Sequence, residues 1–410
     1  MTLQELDRLL DRLTVFEALE DDPVFDSFRK MLWHASEHLD DAFGLYSGFC
    51  ADLYQIGHTD DWTAYLTELV MMQENVCTYF AAADKPVPNH IEQAARLDLR
   101  ALSAAAAVTP DQVQTAFDGS SEQMPLWNAS SVDFETLFFA RLKEINKHGY
   151  GIFARYRMFH MELSEQSENG FELVPVPNPD AVSVSDLIGY ELQRNQVIEN
   201  TRTLLNGLTA SNVLLYGDAG TGKSATVKAV ANAYADQGLR LIELTKDELH
   251  LLPKLLDRLS TNPLKFILFI DDLSFQDNDD DFSALKAVLE GSISARSHNT
   301  VIYATSNRRH IVRETFSQRA GDDIHRNDTM QETISLSERF GIRILYDKPN
   351  KQLYLDIVNG LAGQYGLQMD ADELALEAER FALRRSGRSA RAARQLIEQL
   401  CAAELTKNKE

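Results

Sequence analysis

Eight consecutive residues, Gly217-Asp218-Ala219-Gly220-Thr221-Gly222-Lys223-Ser224, fit the spacing G-x-x-x-x-G-K-[ST] in full. That spacing suits the capture of a phosphate chain. Its glycines let the backbone wrap around phosphate oxygens with N–H groups pointing inward. A helix starting there adds partial positive charge. Lys223 is then placed to reach the β- and γ-phosphates and Ser224 to bind Mg²⁺. About fifty residues later the apolar run Phe266–Ile270 ends in Asp271-Asp272. A buried strand ending in two acids delivers carboxylates to the edge of the sheet where α/β ligands bind. Asp271 would hold Mg²⁺, directly or through water, and Asp272 would polarise an attacking water. A third run, Val301–Ala304, leads into Thr305-Ser306-Asn307. A neutral amide at a strand end orients water without adding charge, which makes Asn307 a candidate. Its competing reading is a strand-end asparagine that caps the next turn.

These groups need a scaffold that brings three strand ends together. Val213–Tyr216, Leu241–Leu244, Phe266–Ile270, Val301–Ala304 and Ile342–Tyr346 are mainly apolar runs with amphipathic helical segments between them. Largely apolar strands separated by helices imply a parallel sheet covered on both faces. The alanine-rich stretch from Ser224 to Ala235 reads as the helix that leaves the glycine loop. From about Lys351 the chain reads as helical again. Ahead of the sheet, residues 1–147 show helical spacing of apolar residues. Trp62, Tyr65, Leu66, Leu69, Val76 and Phe80 fall on one helical face. Residues 148–163 turn aromatic and β-favouring, as for a short strand or a packed strap. Pro175-Val176-Pro177-Asn178-Pro179 reads as a stiff connector. The expected organisation is an acidic helical domain (1–147), a strap and proline-rich linker (148–182), an α/β core (183–348) and a helical lid (349–410).

The 410 residues are 44% apolar and 25% charged, which excludes collagenous and fully disordered chains. Three cysteines, Cys50, Cys77 and Cys401, form no disulfide framework and suit a cytoplasmic location. The most apolar helical stretch, Trp62 to Phe80, is broken by Glu68, Gln73 and Glu74, so no bilayer span is expected. The start, MTLQELDRLLDRL, lacks the basic-then-apolar order of a signal peptide. Residues 1–180 hold 30 acids and 12 bases, net −18, whereas residues 181–410 hold 32 acids and 28 bases, net −4. An acidic front half repels phosphate backbones and anionic lipid. It reads as a solvated surface or, alternatively, as a docking face for a basic partner.

The order of glycine loop, paired acids and strand-end asparagine resembles the AAA+ ATPases over roughly residues 183–400. The blocks DLIGYELQRN (186–195), IDDLSF (270–275), YATSNRRH (303–310) and SLSERFG (335–341) resemble one bacterial family of AAA+ ATP-binding proteins classed as a domain of unknown function. The resemblance implies a P-loop AAA+ sheet covered by helices, with a small C-terminal helical lid and an N-terminal, mainly α-helical domain. It also implies ATP and Mg²⁺ as cofactors and hydrolysis to ADP and phosphate. Ile188 and Gly189 would lie beside the adenine. Arg339 matches the arginine-finger position, which points into a neighbouring subunit's site, and so implies a homo-oligomer. A surface arginine is its competing reading. Arg388 is the better match to the second sensor and Arg391 the alternative. Two departures stand out. The second acid is Asp272 where the family has glutamate, so water is held by a shorter arm. Residues 246–256 lack the aromatic-glycine loop of protein-threading relatives.

The implied function is an ATP-driven remodeller or recruiter of a macromolecular client, with the acidic front domain engaging a protein. A nucleotide-gated switch with negligible turnover and a DNA-associated loader are the rivals. Arg308-Arg309-His310, after the proposed sensor, suits a subunit contact or DNA in a channel; without a wider basic stripe the subunit contact is the preferred reading. His34 and His38 share a helical face but no third zinc ligand is identifiable. Asp277-Asn278-Asp279-Asp280-Asp281 lacks the glycine and closing glutamate of a calcium loop.

Overall fold

The structure is a computed structural model and describes residues 1–37, 42–116, 124–167, 169–273, 285–289, 298–307, 338–385 and 387–407. The chain divides into two compact units, Met1–Arg155 and Tyr156–Glu410.

The first unit is helical, with α1 (Leu3–Leu10), α2 (Pro23–Glu37), α3 (Ala42–Gln55), α4 (Trp62–Met72), α5 (Val76–Ala82), α6 (Asn89–Ala106), α7 (Pro110–Ala116), α8 (Phe134–Lys143), α9 (Ile145–His148) and α10 (Ile152–Arg155). Its core is aromatic. Trp62 stacks on Phe28 with ring centroids 4.5 Å apart, and Phe49 meets both Trp62 and Trp127 edge-on. Each buried indole N–H finds a carbonyl at 2.9 Å, Trp62 on Ala105 and Trp127 on Val108. Asp98 on α6 is buried, and one of its oxygens accepts the backbone N–H groups of Thr14, Val15 and Phe16. That carboxylate ties the loop after α1 to the centre of the bundle. The apolar face expected to run unbroken from Trp62 to Phe80 is instead split between α4 and α5. Gln73 turns extended, and Asn75 caps α5 by accepting from Cys77 and Thr78 N–H. The side chain of Thr78 closes the capping box, which wins over continued helical periodicity.

The second unit is built on a seven-stranded sheet of order β2-β1-β4-β5-β6-β3-β7. Its strands are β1 (Met158–Leu163), β2 (Phe171–Pro175), β3 (Val213–Gly217), β4 (Leu239–Leu244), β5 (Lys265–Ile270), β6 (Thr300–Ser306) and β7 (Ile342–Tyr346). Every neighbouring pair is parallel except the β1–β2 hairpin. Residues 148–182, expected as a short strand or packed strap and a linker, add two strands to one edge of the sheet, and the division between units falls at 155/156. The five apolar runs form the five inner and distal strands, as their residue types require. Register sets Gly217 beside Tyr346 and Ile270 beside Ala304, so the C-terminal ends of β5, β6, β3 and β7 meet at one edge. Helices α11 (Glu191–Leu205), α12 (Lys223–Tyr234) and α13 (Leu252–Ser260) connect the strands. The lid is α14 (Lys351–Tyr365), α15 (Ala371–Arg384) and α16 (Ala390–Lys407) around Tyr354, Ile357, Phe381, Leu396 and Ile397. Ile188 and Tyr190, from the segment before α11, pack against this lid core.

Candidate functional site

A cleft of about 600 Å³ opens at the C-terminal edge of the sheet, between the glycine loop, the loop before α11 and the lid. The glycine loop begins where β3 ends. Gly217 has φ +128°, and a Cβ there would stand 2.3 Å from the Tyr346 carbonyl oxygen. Only glycine fits this crossing against β7. Asp218 fixes the loop's start: its N–H donates to Tyr346 O at 3.0 Å and its carboxylate accepts the Lys348 N–H at 2.8 Å. Gly222 precedes α12, whose first residues are Lys223 and Ser224.

Lys223 is 5% exposed. Its Nζ donates to Asp218 O at 2.7 Å, Asn307 Oδ1 at 3.0 Å and Gly217 O at 3.2 Å. Burial holds its pKa below the ordinary lysine range, opposed by the nearby carboxylates of Asp218, Asp272 and Asp271. Asn307 Nδ2 donates to Asp272 Oδ1 at 2.6 Å. Ser224 Oγ and Thr305 Oγ1 both donate to Asp271 Oδ1 at 2.6 Å. Lysine, serine, two acids and asparagine, read from three separate stretches of sequence, therefore form one hydrogen-bonded network. Asp272 adopts φ +51°, a left-handed backbone that aspartate tolerates better than most residues.

Ser224 and Asp271 are hard oxygen donors side by side, which fits Mg²⁺. That ion takes one or two protein ligands and completes its shell with phosphate and water. Among the described residues no cluster of three or more His, Cys, Asp or Glu exists to cage a metal.

At the other end, Ile188, Gly189 and Tyr190 line the cleft with Ile357 and Leu361 of α14. Gly189 has φ +78°, and a Cβ there would meet Leu353 Cδ1 at 2.7 Å. Arg194 on α11 holds this loop by donating to Leu187 O at 2.7 Å and Gly189 O at 3.0 Å. Tyr190 donates to Asp347 O at 2.6 Å and lies 5.1 Å from Tyr346, ring to ring. The outcome is an apolar slot beside the polar glycine loop.

The two arginines offered as the second sensor separate. Arg388 lies outside the cleft lining and forms a paired bond with Glu379, at 2.6 and 2.9 Å. Arg391 lines the cleft, and its N–H donates to Gly220 O at 3.1 Å, joining lid to glycine loop. Helix α16 begins at Ala390, so Arg391 sits in its first turn while Arg388 falls in the preceding turn and reaches α15. Arg339 is not in the lining. It stands just before β7, whose first residue Ile342 pairs with Val213 at the start of β3, the edge opposite the glycine loop.

Thr305, Arg194 and Arg394 join the site without having been singled out in the sequence. Thr305 had a signal: strand alternation puts 305 and 307 on one side. Arg394 follows Arg391 by three residues, one helical turn along the same face. Arg308, Arg309, His310, His38 and residues 277–281 lie outside the described residues. His34 Nδ1 lies 3.0 Å from Lys30 O on its own helix.

A family model described as "Protein of unknown function (DUF815)" matches residues 156–404. Solved structures of RuvB from Thermotoga maritima are similar. One, titled a Holliday junction branch migration motor, is 16% identical with a TM-score of 0.37, covering 53% of this chain and 63% of that one. A lysine-to-arginine mutant of the same protein is 16% identical with a TM-score of 0.39, covering 56% of this chain and 67% of that one. No curated protein matches the sequence.

Proposed function

The chain belongs to the DUF815 family, and we propose that within its AAA+ architecture it binds ATP with Mg²⁺ and hydrolyses it to ADP and phosphate. One observation carries this reading: the Lys223–Asn307–Asp272 chain and the Ser224–Asp271 pair converge directly beside the glycine loop. Ile188, Gly189 and the α14 residues Ile357 and Leu361 enclose the base. The amides of residues 218–224 and the Lys223 ammonium hold the phosphates. Ser224 and Asp271 hold Mg²⁺, which when bound neutralises charge on the phosphate oxygens. Asp272 accepts a proton from the attacking water, and Asn307 fixes the direction of that carboxylate and water. The lid reads the phosphate end through Arg391 rather than Arg388, whose guanidinium is committed to Glu379.

Arg339 serves a neighbouring subunit. Five residues of β7 at ~3.3 Å each separate the two ends of the sheet by more than about 13 Å, beyond an arginine's reach to its own phosphates. The acidic front unit recruits a protein client. A second reading, a switch with very slow turnover, is favoured by Asp272, whose carboxylate is one methylene shorter than glutamate and already accepts from Asn307.

ATP binding and steady-state turnover of the wild type, Lys223→Ala and Asp272→Asn decide between them. On the lead reading Lys223→Ala loses binding, while Asp272→Asn keeps binding within a few-fold and loses turnover by about 100-fold or more. Binding without turnover in the wild type establishes the switch. No binding at millimolar ATP and magnesium removes both.

A further inference from the structure

The exit of β5 is pinned to a single residue of β6. Thr305 Oγ1 donates to Asp271 Oδ1 at 2.6 Å and accepts the Asp272 N–H at 2.9 Å. The Thr305 carbonyl accepts the Leu273 N–H at 2.7 Å. Thr305 is 2% exposed, so water competes little for these bonds. Asp271 Oδ1 therefore takes two hydroxyl donors, Thr305 and Ser224, which fixes the rotation of the carboxylate. The left-handed backbone of Asp272 persists only where its surroundings over-determine it, and the hydroxyl of Thr305 is one such determinant. That backbone turn is what carries the Asp272 carboxylate to Asn307.

We propose that Thr305 is a positioning residue that sets the Asp271 carboxylate for a divalent cation and the Asp272 carboxylate for Asn307. It rests on the reading of the cleft as an ATP–Mg²⁺ site. The hydroxyl acts as donor and acceptor at once, so serine keeps the device and valine, of nearly the same shape, removes both bonds. Hydrogen-bond partners behind a ligating carboxylate are worth about 10- to 100-fold in metal affinity.

The test is the binding of a fluorescent ATP analogue, titrated with free Mg²⁺, for wild type, Thr305→Val, Thr305→Ser and Lys223→Ala. The expected result is that Thr305→Val raises the Mg²⁺ midpoint about 10- to 100-fold. Its Mg²⁺-free binding stays within about threefold, and Thr305→Ser follows wild type. If the threonine merely packs through its methyl group, the order reverses: valine behaves as wild type and serine does not. Either that reversal or an unshifted valine midpoint overturns the proposal while leaving the ATP reading intact. Failure of the wild type to bind, or equal binding by Lys223→Ala, defeats the ATP reading instead. Should Thr305→Val not fold, Thr305→Cys takes its place with the same expected shift, its thiol being a weak donor and acceptor.

Discussion

Lys223 is a charge held where burial disfavours it, and on the proposed function nucleotide phosphate relieves that conflict. The pKa of its ammonium lies below the ordinary lysine range because desolvation outweighs the three carboxylates near it. In the nucleotide-free protein this works against stability: unfolding restores proton affinity, so the folded state gains stability as pH climbs from the folded to the unfolded pKa. For binding the sign is opposite. Phosphate favours the ammonium, so affinity stays flat while Lys223 is protonated in the free protein. It then falls by up to tenfold per pH unit as pH rises through the depressed pKa. Calorimetric ATP affinities should therefore begin to fall below about pH 10.4, the ordinary lysine value. Lys223→Arg, which does not titrate, should bind more weakly but without that alkaline fall. An alkaline profile shared by both proteins would show that the titrating group is elsewhere.

The elements contribute by bringing backbone close to backbone, and glycines mark the places. Gly217→Ala places a methyl 2.3 Å from a β7 carbonyl at φ +128°, a contact with no flexible side chain to yield. It should cost at least about 1–3 kcal/mol and cripple nucleotide binding. Gly363, in α14, has nothing within 4 Å of a built Cβ. Gly363→Ala should stabilise by about 0.5–1 kcal/mol through lower unfolded-chain entropy. Thermal melts of the two variants should move in opposite directions, and a common direction would contradict the assigned geometry. In the helical unit, Asp98→Ala strands three N–H donors of the loop 14–16, one of them buried, at a cost of about 3 kcal/mol. The melting temperature should drop by roughly 6–12 °C, and less for Asp98→Asn, which keeps an acceptor. The same elements explain what the sequence disclosed. Strands β3 to β6 were legible because they are largely buried and mainly apolar, and the edge strand β7 because four of its five residues are apolar although Arg343 is exposed. For the β1–β2 hairpin a short strand within 148–163 is one reading, but the second strand and the pairing were not legible, because Glu162 and Glu172 interrupt the pattern and the partner strand β4 lies about eighty residues away. The glycine loop, Asp271, Asp272 and Asn307 carry their chemistry in residue type. The choice between Arg388 and Arg391 depends on where α16 begins, and strand alternation places Thr305 on the side of Asn307 without disclosing its bonds to Asp271 and Asp272.

At the scale of the whole molecule, the proposed hydrolysis calls for a further cation to meet the charge that develops on the transferred phosphate. Lys223 is already assigned to the bound phosphates, and Arg391 belongs to the lid. Arg339 stands at the opposite edge of the sheet, anchored by its buried neighbour Phe340. A second copy docked head to tail would bring that edge to the first copy's phosphates, a heterologous contact that propagates into a ring or filament. Guanidinium suits the role because it never titrates and matches phosphate oxygens in a fork. The arrangement makes a complementation test decisive. Arg339→Ala subunits keep an intact cleft and lack the donated arginine; Lys223→Ala subunits lack the cleft and keep the arginine. Each alone should turn over ATP at a few per cent of wild type or less, with Arg339→Ala still binding nucleotide within about threefold. Mixed, an Arg339→Ala cleft next to a Lys223→Ala neighbour is complete, so turnover should rise well above the sum of the parents and peak near equal amounts. A mixture that never exceeds that sum would mean the arginine acts within its own chain or not at all.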